Sequence, residues 1–553
     1  MALNLKDFRF LIVDDLREMR MTLRAMLESL KASQFWEAKT AEEALDVLKA
    51  NPIDVVLCDY NLGDTRDGQQ IFEEARGRGI LVPHAAWLMI TAEQSMGMVM
   101  GVIENNPDGY LVKPINKAVL QVRLERAVAR KMIVKDVEAA LRNGKYTDAI
   151  SLADMQLQRY PNVKGELLRL KTEALLRNGD SDETAELCAG LLAERQNAPG
   201  EPDLPWMLLA LGRARYDLGD LRQARITFQK IIDQNPTVME AYDWLARIER
   251  EQGNGKDAQR IIGNALAVSA RSIRRQQSLA DVATENEDFA TAERAYDRAV
   301  QMGEDSVFAR PDDQLGLVTA VRVTKGKEAA LKTMGDLVKR AARKRNSKGP
   351  HWRLSALEAQ MLAEAGRKTE AAASAERALE AFRDDTTHAA TDGALELAKA
   401  CFATGMTEQA CLLVDKLVRE NHDRTDVIAQ VQGMFSEMGL GSEGSSLIEK
   451  AQQVIVKVNN EGVLLAKAGR FKEAVAQLQQ AAEELPNNLT VTLNVLQALL
   501  MQMQSEGVTN QTRYQAREHL ARAERLAPKS EKVQQLKSRL KPLIAATPKQ
   551  ASA

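Results

Sequence analysis

One spacing governs more of this chain than any other. Gly219, Gly253 and Glu287 stand 34 residues apart, and each is followed five positions later by an alanine: Ala224, Ala258 and Ala292. Seven and eight residues ahead of each come a small residue and a leucine, namely Gly212 and Leu211, Ala246 and Leu245, Ala280 and Leu279. Period 34 with small residues where two helices must touch describes an array of helical hairpins. No such hairpin can bury its apolar face alone, so stacking is obligatory and leaves an extended concave surface suited to a peptide or a helix. Composition agrees, since aromatics are 4% and strong helix formers dominate after residue 115.

The first 130 residues follow another rule. Apolar runs recur at 8–13 (FRFLIV), 52–58 (PIDVVLC), 85–90 (AAWLMI) and 109–112 (GYLV), separated by segments with helical spacing; 34–39 (QFWEAK) reads as an edge strand. This alternation predicts an α/β doubly wound parallel sheet of five strands. Polar residues fall at the strand ends: Asp14 and Asp15, Asp59, Thr91 and Lys113. In open α/β sheets ligands bind in the crevice at those ends.

Three carboxylates in one crevice repel each other unless a cation neutralises them or one is protonated. A hard divalent ion with oxygen ligands, Mg²⁺, resolves the conflict. Lys113 and Thr91 add a fixed positive charge and a hydroxyl donor, which become useful when further anionic oxygens arrive. The expected guest is a phosphoryl group. Asp59, alone on the central run, is the expected nucleophile, forming an acyl phosphate.

The segments LIVDD, VVLCDYNL, MITAE and GYLVKP, taken in order, resemble the receiver domain of two-component response regulators over about the first 125 residues. The resemblance implies that a sensor histidine kinase or a small phosphodonor phosphorylates Asp59. It further implies that Asp14, Asp15 and Asp59 hold Mg²⁺ together with the main-chain carbonyl of Asn61, and that Thr91 and Lys113 hold the phosphoryl oxygens. Thr91 and Tyr110 stand where the family places its switch pair, and Asn61 and Glu93 where it tunes dephosphorylation. One departure is visible. The family often has Pro four residues and Gly eight residues after the acid, whereas here Gly63 replaces the proline and Gly68 lies nine residues on.

The repeat copy at 211–236 resembles the tetratricopeptide repeat, with Leu211, Gly212, Gly219, Ala224, Phe228 and Pro236 on pattern positions; Arg215 departs from it, with Tyr216 beside it as a substitute aromatic. Further copies lie around 143–150, 365–372, 404–410 and 468–486, and weaker ones surround Gly179, Gly326 and Gly439. The expected organisation is therefore a receiver over 1–130, an all-α superhelix of about ten hairpins over 131–540, and a frayed tail over 541–553. The stretch 116–144 keeps helical spacing without Gly or Pro until Gly144, so the last receiver helix is expected to run into the first repeat.

Other classes find little support. Net charge is −2, with 75 Lys+Arg against 77 Asp+Glu, which gives no global reason to expect nucleic acid. Cys58, Cys188, Cys401 and Cys411 and the five histidines show no metal spacing. The G-x-G-x-x-G at 439–444 follows a helical segment rather than a strand, so it is not read as a dinucleotide site. The basic run from Lys339 to Lys348 lacks interleaved aromatics and reads as a solvated helix end. The N-terminus is unlike a signal peptide and no run spans a bilayer, so a cytoplasmic location without membrane insertion is expected. The expected function is a response regulator whose Asp59 controls protein binding by the repeats, with no DNA-binding output and no enzymatic activity beyond its own phosphorylation and dephosphorylation. The rival is an inhibitor or phosphate sink that binds a sensor kinase or another response regulator.

Overall fold

The computed structural model describes residues 5–63, 67–92, 107–196, 204–304, 306–343, 351–384, 391–421, 424–485, 488–527 and 530–545. Two compact units divide the chain, Met1–Thr324 and Lys325–Ala553.

The first unit opens with β1 (Arg9–Val13), α1 (Arg17–Ser29), β2 (Gln34–Ala38), α2 (Ala41–Ala50), β3 (Val55–Asp59), α3 (Gly68–Gly77), β4 (Ala86–Thr91) and β5 (Gly109–Val112). All four strand pairings are parallel, in the order β2-β1-β3-β4-β5. The order steps outward from β1 in both directions, and the switch point between β1 and β3 opens the crevice at the ends of the central strands. β3 and β4 are buried along their whole length, as their unbroken apolar runs require, while β2 is a half-exposed edge.

Alternate residues feed two cores. Phe10, Ile12, Val55, Leu57, Leu88 and Ile90 pack with Leu23 and Leu27 of α1 on one face. Leu11, Val13, Val56, Cys58, Trp87 and Met89 pack with Leu45 of α2 and Phe72 of α3 on the other. The helices begin where side chains cap them: Thr40 accepts from the Glu43 amide, and Asp67 forms a capping box with Gln70.

After β5 the helix α4 (Lys117–Arg142) is capped by Asn116 and runs unbroken for 26 residues. Its first half completes the sheet core through Leu120 and Leu124, and its second half packs on the next helix through Val134, Val137 and Leu141. The boundary expected near residue 130 thus falls inside one rigid element. There follow α5 (Tyr146–Arg159), α6 (Lys164–Asn178), α7 (Ser181–Gln196), α8 (Pro205–Asp217), α9 (Leu221–Gln234), α10 (Met239–Glu251), α11 (Gly255–Val268), α12 (Ile273–Glu285), α13 (Phe289–Met302) and α14 (Pro311–Lys325). From α4 to α13 each helix packs on the next, and the leading helices α6, α8 and α10 also meet one another, so the hairpins stack.

The 34-residue register is realised in the turns. Gly219 and Gly253 have φ of 81° and 80°, and Glu287 is driven into the same left-handed region at 61°. Gly144, Gly179, Gly326, Gly366, Gly405, Gly439 and Gly469 repeat that conformation at the other copies read from sequence. Gly212 is required by close approach, because a Cβ there would lie 2.7 Å from the Phe228 ring. Leu211, Ala224, Phe228, Leu245, Ala246, Ala258, Ala280 and Ala292 are buried; Leu279 is half-buried, and Pro236 is exposed in its turn. Arg215 donates to Thr227 Oγ1 at 2.7 Å, while Tyr216 packs on Trp244 with ring centroids 5.2 Å apart and fills the aromatic position.

The second unit continues the all-helical pattern from Lys327–Arg343 to Glu531–Ala545. One helix, Gly441–Lys467, packs on Thr425–Glu437 before it and Phe471–Glu484 after it, so a single element serves two hairpins. The 439–444 glycines are structural: Gly439 makes the turn, and Gly444 lies against Phe435. The tail expected from residue 541 is helical as far as Ala545. Lys339 and Arg340 are exposed near a helix end; Arg343 closes that helix, and residues 344–348 of the basic run lie outside the described residues. Among the described residues no helix is long and apolar enough to cross a membrane.

Candidate functional site

The ends of β1, β3 and β5 bring their charged residues together. One carboxylate oxygen from each of Asp14, Asp15 and Asp59 lies within 4.8 Å of the others. Lys113 Nζ sits 3.0 Å from Asp59 Oδ2 and 3.2 Å from Asp14 Oδ2. Asp14 is fully buried, Asp59 is 6% exposed, and Asp15 faces solvent at the rim. Among the described residues, one ammonium thus faces three acids in the crevice.

Local structure explains why these side chains hold their positions. Asp14 Oδ1 accepts the Leu16 amide at 2.9 Å, and Arg20 of α1 reaches back to the carbonyls of Asp14 and Asp15, pinning the acidic turn. Tyr60 donates its amide to Ile90 O and Gly68 donates to Tyr60 O, which closes the chain after Asp59 onto β4 and α3. A Cβ at Gly68 would lie 2.2 Å from Asp59 O, so no larger residue fits there. The displaced glycine noted in the sequence is the residue that lets α3 start against the acid.

Burial pushes the Asp59 carboxyl above its ordinary value; Lys113 opposes the rise, and Asp14 and Asp15 add to it. Burial by itself would lower Lys113, but Asp59 and Asp14 hold the ammonium above its ordinary value. A divalent ion fits this donor set. The ligands are hard oxygens, they converge, and among the described residues the Lys113 ammonium leaves negative charge over. Asp14, Asp15 and Asp59 are the residues that would hold it. Bound there, Mg²⁺ would screen an incoming phosphate and stabilise its equatorial oxygens.

Thr91 ends β4 and is buried; its carbonyl accepts the Lys113 amide at 2.7 Å, so it shares the sheet edge with Asp59 and Lys113. Tyr110 is paired with Met89 across the strands and packs on the core shared with α2 and α3. Its hydroxyl is buried with no hydrogen-bond partner among the described residues, and burial raises the phenol. A buried hydroxyl without a partner is a costly placement. Asn61 is exposed beside the acids, and Glu93 lies outside the described residues.

Sequence reasoning did not reach Arg20, whose signal would have been a basic residue one helical turn into α1. It also missed Glu74 of α3, which is 2% exposed and has no local pattern to announce it.

Residues 10–125 match the family described as response regulator receiver domain, and residues 209–271 and 328–386 match the tetratricopeptide repeat. The N-terminal part is 31% identical over 125 residues to the chemotaxis protein CheY-3 of Vibrio cholerae, covering 95% of that protein and 23% of this chain. It is 29% identical over 122 residues to the chemotaxis protein CheY of Pseudomonas aeruginosa, covering 97% of that protein and 22% of this chain. A solved tetratricopeptide repeat protein from Parabacteroides merdae is 16% identical, with a TM-score of 0.32, 53% of this chain and 98% of that one covered. With its five-stranded sheet and acidic crevice, the chain belongs through its N-terminal domain to the response regulator receiver family, joined to tetratricopeptide repeats.

Proposed function

We propose that this chain is a response regulator in which phosphorylation of Asp59 controls which protein its repeat array binds. The observation that carries the reading is the convergence of Asp14, Asp15, Asp59 and Lys113 at one sheet edge that also holds Thr91. An oxygen of Asp59 attacks the phosphorus of a phosphodonor such as a kinase phosphohistidine. The donor's P–N bond breaks with its electron pair going to nitrogen, and an aspartyl phosphate forms. Lys113, already on Asp59 Oδ2, and the Thr91 hydroxyl then receive phosphoryl oxygens, and the Asn61 main-chain carbonyl would join the three carboxylates in holding Mg²⁺. Tyr110 follows Thr91 as the switch, and Asn61 and Glu93 set the lifetime of the phosphate. The chain catalyses no other reaction.

Leu16, Met21, Val119 and Val122 are exposed apolar residues on the acidic turn and on α1 and α4. They supply a surface on which a sensor histidine kinase can dock. The output is protein or peptide binding along the stacked hairpins, with no nucleic acid and no membrane insertion, in the cytoplasm. The test is phosphoryl transfer from a radiolabelled small acyl-phosphate donor with Mg²⁺. Wild type should take up label that Asp59→Asn lacks, and equal labelling of the two would sink the assignment. Capture of partners on wild type and on Asp59→Asn then reads the output.

A further inference from the structure

The receiver touches the repeat array at a place far along the chain. Glu74 of α3 accepts a hydrogen bond from Ser306 Oγ and another from the Val307 amide, both at 2.8 Å, while Arg78, just past the end of that helix, also holds it. A Cβ at Gly77 would lie 2.9 Å from Val307 Cγ2, so the Val307 side chain packs directly against the α3 backbone there. At the other end of α3 the capping residue Asp67 lies 3.6 Å from Arg271, in the turn that leads into α12. Gln70, Ile273 and Met302 line the crevice between these two contacts.

On the array side the contact is firmly anchored. Phe308 O accepts from the buried Gln277, which also donates to the buried Asp313 at 2.7 Å. Arg310 bridges Asp281 of α12 and Asp313 of α14. The Phe308 ring carries the Arg274 guanidinium 4.4 Å from its centroid. On the receiver side α3 starts against the phosphoacceptor: Gly68 has no room for a Cβ beside Asp59 O, and Asp67 caps the helix. The receiver is also tied to the start of the array, where Arg142 of α4 donates to Leu81 O at 2.8 Å. α3 is therefore a clasp between the phosphoacceptor strand and the α12–α14 end of the same unit.

We infer that phosphorylation of Asp59 loosens the α3 clasp on Arg271, Ser306 and Val307, freeing the α12–α14 hairpins from the receiver. This rests on Asp59 being the phosphoacceptor. The direction follows from charge. A phosphoryl group adds roughly two negative charges to Asp59, whose carbonyl abuts Gly68 next to the buried Asp67. Like charge there displaces the start of α3, and α3 has its far end fixed to an anchored loop. By reciprocity, a weakened clasp favours the loaded site by the same factor.

The Val307 amide is itself bonded to Glu74, so it reports the clasp directly. Hydrogen–deuterium exchange on the full chain with Mg²⁺, with and without beryllofluoride, is expected to show exchange at 306–310 rising at least about 5-fold, the low end of ordinary couplings. Asp59→Asn should show no rise. Unchanged or slower exchange at 306–310, while residues 14–16 and 59–63 gain protection, overturns the clasp and leaves phosphoryl acceptance standing. No protection at either place overturns both. Glu74→Gln should bind beryllofluoride about 5-fold more tightly than wild type, and equal affinity counts against the coupling. If that variant does not fold, Ser306→Ala, which removes one donor to Glu74, makes the same comparison.

Discussion

Asp59 is the residue at which burial, charge and chemistry meet. Its carboxyl is raised by burial, so between the ordinary carboxylate value and the raised one the folded chain binds more protons than the unfolded chain. In metal-free buffer its contribution to stability therefore falls as pH rises through that window. A proton on Asp59 also competes with a divalent ion, which needs the ionised form. Mg²⁺ affinity should hold steady above the raised value and then fall by about tenfold per pH unit below it. A Mg²⁺ titration at a series of pH values checks this, and a flat affinity across the carboxylate range would remove Asp59 from the ligand set. Asp59→Asn should flatten the dependence.

At the scale of the helical hairpin, the repeat is held by two features with different physical origins. Phe228 fills the space that Gly212 leaves open and stacks on Trp244, with planes 7° apart. The turn between the helices needs a left-handed residue, supplied by glycine at Gly219 and Gly253 but by Glu287 in the third copy. A residue with a Cβ in that conformation costs about 1–2 kcal/mol, of which glycine's greater chain entropy returns a part. Glu287→Gly should therefore stabilise the unit by about 1 kcal/mol, read as a higher urea midpoint. A lower midpoint would show that the Glu287 side chain contributes more than its backbone loses.

Over the whole molecule, stacked hairpins share stability chiefly with their neighbours. Phe228→Ala should cost about 3–5 kcal/mol and raise hydrogen exchange across 205–268, where its core lies. The hairpin of Phe471–Glu484 and Leu489–Glu506 should keep its exchange rates, because its core is a separate cluster. Faster exchange in both places would show cooperativity beyond nearest neighbours. Within the first unit the clasp adds a contact that a simple linear stack lacks, joining residues 232 positions apart.

The sequence by itself determined the strands, the acids at their ends and the register of the hairpins. These depend on neighbours within one element or one period: an apolar run makes a buried strand, a strand end places Asp59 at an edge, and a turn glycine recurs every 34 residues. It also carried the order of Asp14, Asp15, Asp59, Thr91 and Lys113, which no single motif supplies. Tertiary structure alone decided that Lys113 bridges Asp14 and Asp59, that Gly68 seats α3 on the acid, and that Glu74 meets Ser306. The last of these is set by small rotations added hairpin by hairpin from α4 to α14, and a sum of that kind leaves no local pattern in the residues it brings together. The loop between α13 and α14 becomes a contact surface because stacking returns it to the receiver.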